Sequence, residues 1–306
     1  MAVLVFGSAN IDISVDVETL PRLGETKHGS DYRIGLGGKG LNQAVAASRL
    51  SKSPVKFIGA VGTDHFGSLV ETELAGLGVA TSGIRRDPKS PTGLALIHVD
   101  GDGNNSITVS GGANLSWTTA DISGLMFDGT AVGLCQLETP LDVTSEVMKK
   151  ISEAGGMTIL DPAPMPDKDL GDIFTVTDIL TPNQHEAERI LNRKILNPED
   201  AIQGAIALVK RGDFKAVILT MGEQGVAYSE DGAEGEWLPA FVVETVDTVA
   251  AGDCFNGALA AAIVDGSSFR DAILFAMAAA ALSVTKPGAT SSLPSLADVQ
   301  DFLAGL

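Results

Sequence analysis

The chain has 306 residues, enough to bury a substantial core as one large domain or two ordinary ones. Hydrophobic residues make up 44% and charged residues 20%, the balance of a soluble globular protein, and a formal net charge of -18 argues against nucleic-acid binding, which needs a basic surface to displace counterions. The same charge leaves a nucleotide site open, because a few local N–H groups can hold an anion inside an acidic protein.

Two cysteines, Cys135 and Cys254, lie far apart and fit no metal or redox spacing, so both are expected as small buried hydrophobes in a reducing cytoplasm. The start MAVLVFGSANID lacks a basic leader and reads as a first strand. The most apolar run, residues 272–284, is too short for a bilayer, so no membrane partner is expected.

In chain order, residues 3–6 form a short apolar run ending in Gly7-Ser8, as in a buried strand that opens into a site, with Asn10 and Asp12 close behind. Residues 13–17 and 31–34 alternate apolar and polar positions, which predicts strands buried on one face. Next, Gly35-Leu36-Gly37-Gly38-Lys39-Gly40 leads into a helix over residues 42–50. It contains a formal GxGxxG, but the preceding strand is of the small-flap type, and the next acidic residue, Asp64, lies in a separate turn. Lys39 is followed by glycine instead of Ser or Thr, so it is no Walker A loop.

Beyond residue 55 strand-like runs at 55–61, 131–137, 157–160, 178–180 and 216–220 alternate with helical stretches at 66–77, 141–154, 186–191 and 201–210. That alternation predicts an α/β fold with a mostly parallel central sheet and helices on both faces. Runs at 94–99 and 106–109, joined by Asp100-Gly101-Asp102-Gly103-Asn104, interrupt it with a hairpin that completes the flap. One domain spanning 1–306, with a discontinuous β-lid from about 12–36 and 92–110, is the simplest organisation.

Four further stretches bear on chemistry. Thr181-Pro182-Asn183-Gln184-His185-Glu186 follows a strand, and Asn183 with Glu186 has the spacing of a helix capping box. Thr220 ends a strand before the paired glycines Gly222 and Gly225, which a plain turn would also show. The β-rich run 240–246 is read as a strand leading into Asp247 and then Ala250-Ala251-Gly252, with a helix from Asp253. Free N–H groups at such a helix start bind phosphate oxygens, and a carboxylate in the first turn could take a proton from an attacking hydroxyl, though an Asp there also serves as a plain cap. Residues 272–284 predict a buried, alanine-rich helix close to the one after Asp253.

DTVAAGDCFNGAL at 247–259 and GGKGLNQA at 37–44, in this order, resemble the paired signatures of the ribokinase-like (PfkB) carbohydrate kinases. The resemblance implies the three-layer α/β sandwich of that family with a small β-sheet lid. It also implies transfer of the ATP γ-phosphate to the 5-hydroxyl of D-ribose. Another sugar, such as 2-deoxyribose or a ketohexose, or a nucleoside is the alternative acceptor within the family. From other classes, a nicotinamide-dependent oxidoreductase or a non-catalytic sugar-binding protein remains open.

Carried over residue by residue, the resemblance makes Asp253 the base and Ala250, Ala251 and Gly252 the anion hole. It assigns the sugar to Asn10, Asp12, Gly38, Lys39, Asn42 and Glu138 together with Asp253. Magnesium, its waters and the phosphates fall to Asn183 and Glu186, and the nucleotide to Thr220, Gly222, Gly225, Gly252 and Met277. Met277 departs from the polar residues familiar beside the adenine, and Leu41 replaces a common alanine, either narrowing the pocket or repacking the helix. A monovalent cation, K⁺, is implied at Asp247, Val249, Ser283, Lys286, Gly288 and Ser292, unless Asp247 simply pairs with Lys286. A homodimer through the lid is the family expectation.

Overall fold

Alternation along the first strand sets the layering of the molecule. In β1 (Ala2–Phe6), Val3 and Val5 enter one buried hydrophobic cluster while Leu4 and Phe6 enter another, so the strand is covered on both faces. The structure, a computed structural model, describes residues 1–102, 104–167 and 170–305. Gly103 of the predicted hairpin turn lies outside them.

After β1 come β2 (Asn10–Asp16), β3 (Tyr32–Gly37), α1 (Lys39–Leu50), β4 (Val55–Gly62), α2 (His65–Gly76), β5 (Ala80–Asp87), β6 (Gly93–Val99) and β7 (Asn105–Ser110). The middle of the chain holds α3 (Thr119–Ile122), β8 (Thr130–Cys135), α4 (Leu141–Glu153), β9 (Met157–Leu160), β10 (Ile179–Leu180), α5 (Gln184–Leu191) and α6 (Pro198–Gly212). It ends with β11 (Ala216–Thr220), β12 (Gly225–Glu230), β13 (Glu236–Pro239), α7 (Ala251–Val264), α8 (Phe269–Ser283) and α9 (Leu296–Ala304).

One sheet has the order β13-β12-β11-β10-β9-β8-β1-β4-β5, parallel except for the antiparallel β11-β12-β13 edge. Helices α1, α7 and α8 cover one face with Val3 and Val5, and α4, α5 and α6 cover the other with Leu4 and Phe6. The result is the expected three-layer sandwich. A separate four-stranded sheet, β3-β2-β6-β7, gathers the two predicted flap segments, with β2 and β6 parallel and the outer pairs antiparallel.

Residues 240–246 correct one expectation, for they pair in neither sheet and run as irregular chain along a cleft. Their Val, Phe and Thr content favours a strand, but strand propensity depends on a neighbour to pair with, and here the segment borders open space. The following helix starts two residues earlier than expected, at Ala251, which leaves Asp253 in its first turn.

Two glycines set how closely the elements carrying chemistry approach each other. A Cβ on Gly257 would lie 2.6 Å from both Ala46 Cβ and the Gln43 carbonyl oxygen, so its absence lets α7 press against α1. Because residues four apart share a helix face, that contact also brings Asp253 to Asn42 and Gln43. Gly38 precedes α1 with φ of 90°, a conformation costly for any side chain, and a Cβ there would meet the backbone N of Asn10 at 2.9 Å.

Candidate active site

The carboxyl ends of β1, β8 and β9 deliver Ser8, Gln136, Glu138 and Asp161 to one place, on the side of the sheet where α1 and α7 begin. From β1 the chain winds outward to β4, and from β8 it winds the other way to β9, so the place is a topological switch point, where ligands bind in open α/β sheets.

Asp253 is 5% exposed and held from three directions. Its Oδ2 accepts from Asn42 Nδ2 at 3.0 Å, its Oδ1 accepts from Gln43 Nε2 at 3.0 Å, and Lys39 Nζ stands 3.8 Å from Oδ1. The same Gln43 nitrogen donates to Asp161 Oδ2 at 2.8 Å, Lys39 Nζ is 3.8 Å from that oxygen too, and Gln136 donates to Gln43 Oε1. Burial pushes the Asp161 carboxyl up to about 7 against the pull of Lys39. Burial works against charge on Lys39 as well, but Asp253, Asp161, Glu138 and Glu186 together hold its ammonium well above the usual range. Lys39 therefore stays a cation at any working pH.

The expected sugar residues surround this group. Glu138 Oε2 accepts from Ser8 Oγ and from the Lys39 backbone N–H at 3.0 Å, capping the positive end of α1. Burial first, then the charges of Glu138 and Asp253, push Asp12 up to about 6. Asn42 keeps a buried Oδ1 with no hydrogen-bond partner among the described residues, although its Nδ2 is bonded to Asp253. An unanswered buried acceptor is costly, and a ligand hydroxyl placed there would satisfy it. Leu41, by contrast, is fully buried in the core, so its change from alanine repacks the helix and leaves the pocket wall alone.

Before α7 the chain turns through Ala250, at φ 61° and ψ 12°. The Ala251 N–H leans to the Thr248 carbonyl at 3.3 Å, whereas the backbone N–H groups of Gly252 and Asp253 have no protein partner among the described residues. A Cβ on Gly252 would meet nothing within 4 Å, so the helix start borders open space at this residue. That space is a cleft of about 750 Å³, lined by Thr220, Gly222, Gly225, Ala251, Gly252 and Met277, with Phe241 to Val243 along one wall. The five residues expected at the nucleotide, apart from the Asn183 and Glu186 pair, thus share one cavity whose lining includes Ala251 and Gly252, at the start of the helix that carries Asp253.

Asn183 and Glu186 form the capping box in full: Glu186 N donates to Asn183 Oδ1 at 3.0 Å, and Asn183 N and Nδ2 donate to the two Glu186 oxygens at 2.8 Å each. Such a cap is worth about 1 kcal/mol to the helix. Asn183 also bridges to Thr220 at the cleft, and the Glu186 carboxyl is raised by burial. His185 is exposed, in line with a surface role.

The six residues of the expected cation site lie on two segments that meet. Asp247 accepts from Val249 N at 3.0 Å and Gly288 N at 2.9 Å, and the N–H groups of Val246 and Asp247 donate to the Val284 carbonyl. Ser283 and Ser292 are buried, with their hydroxyls on the Ala280 and Ala289 carbonyls. Lys286 sits in the same loop with its N–H toward Ser283 O at 3.4 Å, and no Asp247–Lys286 ion pair is present among the described residues.

Ser8, Gln43, Asn114, Gln136 and Asp161 belong to the site without having been singled out in the sequence. Three of them are legible only once strand ends are known, since Ser8, Gln136 and Asp161 each follow a parallel strand, whereas Gln43 stands in α1 one residue beyond Asn42. Cys254 is fully buried with its thiol pushed up to about 12, so it is no reactive thiolate despite standing beside Asp253. The formal GxGxxG starts in β3 of the small sheet, antiparallel to β2, and not after a strand of the parallel sheet, which removes the dinucleotide reading.

The family model described as pfkB family carbohydrate kinase matches residues 2–296. The chain is 37% identical to the ribokinase of Haemophilus influenzae over 98% of its length and 97% of that protein, and 38% identical to that of Bacillus subtilis, covering 99% of each. Among solved structures it is similar to the Arabidopsis thaliana ribokinase complexed with ribose and ATP, with a TM-score of 0.90, 34% identity and 98% of each chain covered. No helix among the described residues is long and apolar enough to cross a membrane. A family model spanning nearly the whole chain, relatives matched end to end, and signature residues that meet at one switch point establish that the chain belongs to the pfkB family of carbohydrate kinases.

Proposed function

We propose that this sugar kinase transfers the γ-phosphate of ATP to the 5-hydroxyl of D-ribose, giving ribose 5-phosphate and ADP. The observation that carries the reading is the place of Asp253, at once in the first turn of α7, next to Gly252 of the cleft lining, and hydrogen-bonded to Asn42 and Gln43. ATP would lie along the cleft with its terminal phosphate at the free N–H groups of Gly252 and Asp253, and Asp253 would take the proton of the attacking hydroxyl. The relatives' names and the ribose and ATP bound by the Arabidopsis protein support the substrates. Asn10, Asp12, Gly38, Lys39, Asn42 and Glu138 would bind the sugar, and the chain would act as one kinase domain whose small sheet is the lid.

Asn183 and Glu186 fit a hydrated magnesium ion, since Glu186 bears a carboxylate that burial disfavours and a nearby cation restores. They would hold it through its waters, where it would neutralise charge on the phosphates. Asp247, Val249, Ser283, Lys286, Gly288 and Ser292 fit a monovalent cation because their two segments are tied side by side next to the start of α7, and a K⁺ held there by carbonyl oxygens would add positive field to the phosphate end of the cleft. Exposed Tyr32, Ile34, Leu96, Ile107 and Val109 on the small sheet support a homodimer through the lid. ATP use and two buried free thiols suit the cytoplasm.

ADP release from Mg-ATP, with and without D-ribose and K⁺, tests the assignment on wild type and Asp253→Asn. Ribose-dependent turnover that falls by about a hundredfold or more in the variant is expected. Turnover indifferent to ribose, or a fully active variant, would overturn it.

A further inference from the structure

Asn114 lies outside every motif of the chain, in a 3-10 turn, Gly112–Leu115, yet it is 1% exposed and fully engaged. Its Oδ1 accepts from the Ala9 backbone N–H at 2.9 Å, and its Nδ2 donates to the Ala9 carbonyl at 3.2 Å and to Asn10 Oδ1 at 2.7 Å. The polarity of this amide is therefore dictated. A backbone N–H only donates and a backbone carbonyl only accepts, so Ala9 decides which end of Asn114 is oxygen and which is nitrogen. A nitrogen then faces Asn10, and the Asn10 amide has to answer with its oxygen.

Space is reserved for this bond. Gly93 pairs with Asn10 across the small sheet, and a Cβ on it would fall 2.0 Å from Asn10 Oδ1 and 2.4 Å from Asn114 Nδ2. The turn that carries Asn114 is itself anchored, by Ala113 N on the Pro91 carbonyl at 2.7 Å and by Arg85, which donates to Ser116 Oγ at 2.6 Å and stacks over Trp117. Asn10 Nδ2 is left with no protein partner among the described residues.

We propose that Asn114 is a positioning residue for sugar recognition: it fixes the polarity of the Asn10 amide, so that position 10 offers a donor to a sugar hydroxyl oxygen. Asp12, two residues on and on the same side of β2, offers only acceptors when ionised. The pair thus reads neighbouring hydroxyls with a set direction, one accepting from Asn10 and the other donating to Asp12. The inference rests on the sugar-kinase assignment of Asn10 and Asp12.

Asn114→Asp keeps the oxygen that Ala9 N–H needs but turns an acceptor toward Asn10, which would flip the Asn10 amide. The expected result is a KM for D-ribose raised about tenfold or more, with kcat and the KM for ATP changed by less than about twofold. In an Asn10→Ala background the same substitution should add less than about twofold, because its route to the sugar is gone. Additive effects in that cycle would overturn the inference. So would loss of folding, or equal damage to the ATP KM, in both Asn114→Asp and Asn114→Ser, since either marks a purely structural role. A wild type that ignores D-ribose would sink the ribose assignment alone, and the same cycle would then be run on the sugar it accepts.

Discussion

Gln43 Nε2 donates to Asp253 Oδ1 at 3.0 Å and thereby ties the proposed base on α7 to α1. The same nitrogen serves Asp161, and Gln136 fixes the far end of the Gln43 amide, so the base is oriented by buried side chains outside the lining of the cleft. Removing the amide with Gln43→Ala leaves two neighbouring carboxylates short of a donor and free to turn. A misplaced base costs rate more than affinity, so kcat should fall by about 10- to 100-fold while the sugar KM moves little. Steady-state kinetics on folded variant would decide, and an unchanged kcat would reduce the network to packing.

Asp12 predicts a trade between stability and binding. Its carboxyl is raised to about 6 in the folded chain from an ordinary value of 3.8, so the folded state binds the proton more tightly than the unfolded one. The stability this gives is fully present below the unfolded pKa and is lost as pH rises from about 4 through 6. Asp12→Asn should therefore stabilise the protein by about 1–2 kcal/mol at pH 8, after allowing for solvent screening, and by almost nothing near pH 4. The same variant should bind the sugar poorly, and wild-type kcat/KM should decline as pH falls through about 6. Thermal melts at pH 4 and pH 8 beside a pH–rate profile would check both halves.

Much of the site could be read from the chain because backbone requirements leave side-chain traces. Gly38 must adopt positive φ, Gly252 must leave N–H groups open, and Asp253 must stand in a first helical turn, and each of these demands a residue type at a fixed place. Asp161, Gln136 and Asn114 carry no such trace, for they reach the site through strand order and a distant turn, which a linear pattern does not encode. The strand expected over 240–246 failed for the same reason: the composition fits a strand, but the neighbour that would pair with it is absent, and the segment became a cleft wall.

The small sheet makes a prediction about assembly. Ile34 and Leu96 both pair with Ile13, on either side of it, and are 46% and 43% exposed, so they form an apolar strip across the sheet. Wild-type protein should sediment at twice the chain mass, and Ile34→Glu with Leu96→Glu should shift it to the single-chain mass by placing unpaired charge in the covered strip. A monomeric wild type would end the proposal of a dimer through the lid.

Two glycines of α7 should respond in opposite ways to the same methyl group. At Gly252 a Cβ meets nothing within 4 Å, so Gly252→Ala costs the fold nothing and should gain up to about 1 kcal/mol in helix propensity. With the phosphate seated on the start of α7 as proposed, that methyl would stand beside its approach to the free N–H groups, so kcat should drop by at least about tenfold. At Gly257 the Cβ would lie 2.6 Å from the Gln43 carbonyl oxygen, which is backbone and cannot swing aside. Gly257→Ala must push α7 off α1, costing about 1–3 kcal/mol as overpacking does, and it should lower kcat as well by drawing Asp253 away from Asn42 and Gln43. Melting temperature and kcat measured together separate the two sites: an inactive but stable Gly252→Ala beside a destabilised Gly257→Ala is expected. A fully active Gly252→Ala would mean that the phosphate does not seat on the start of α7.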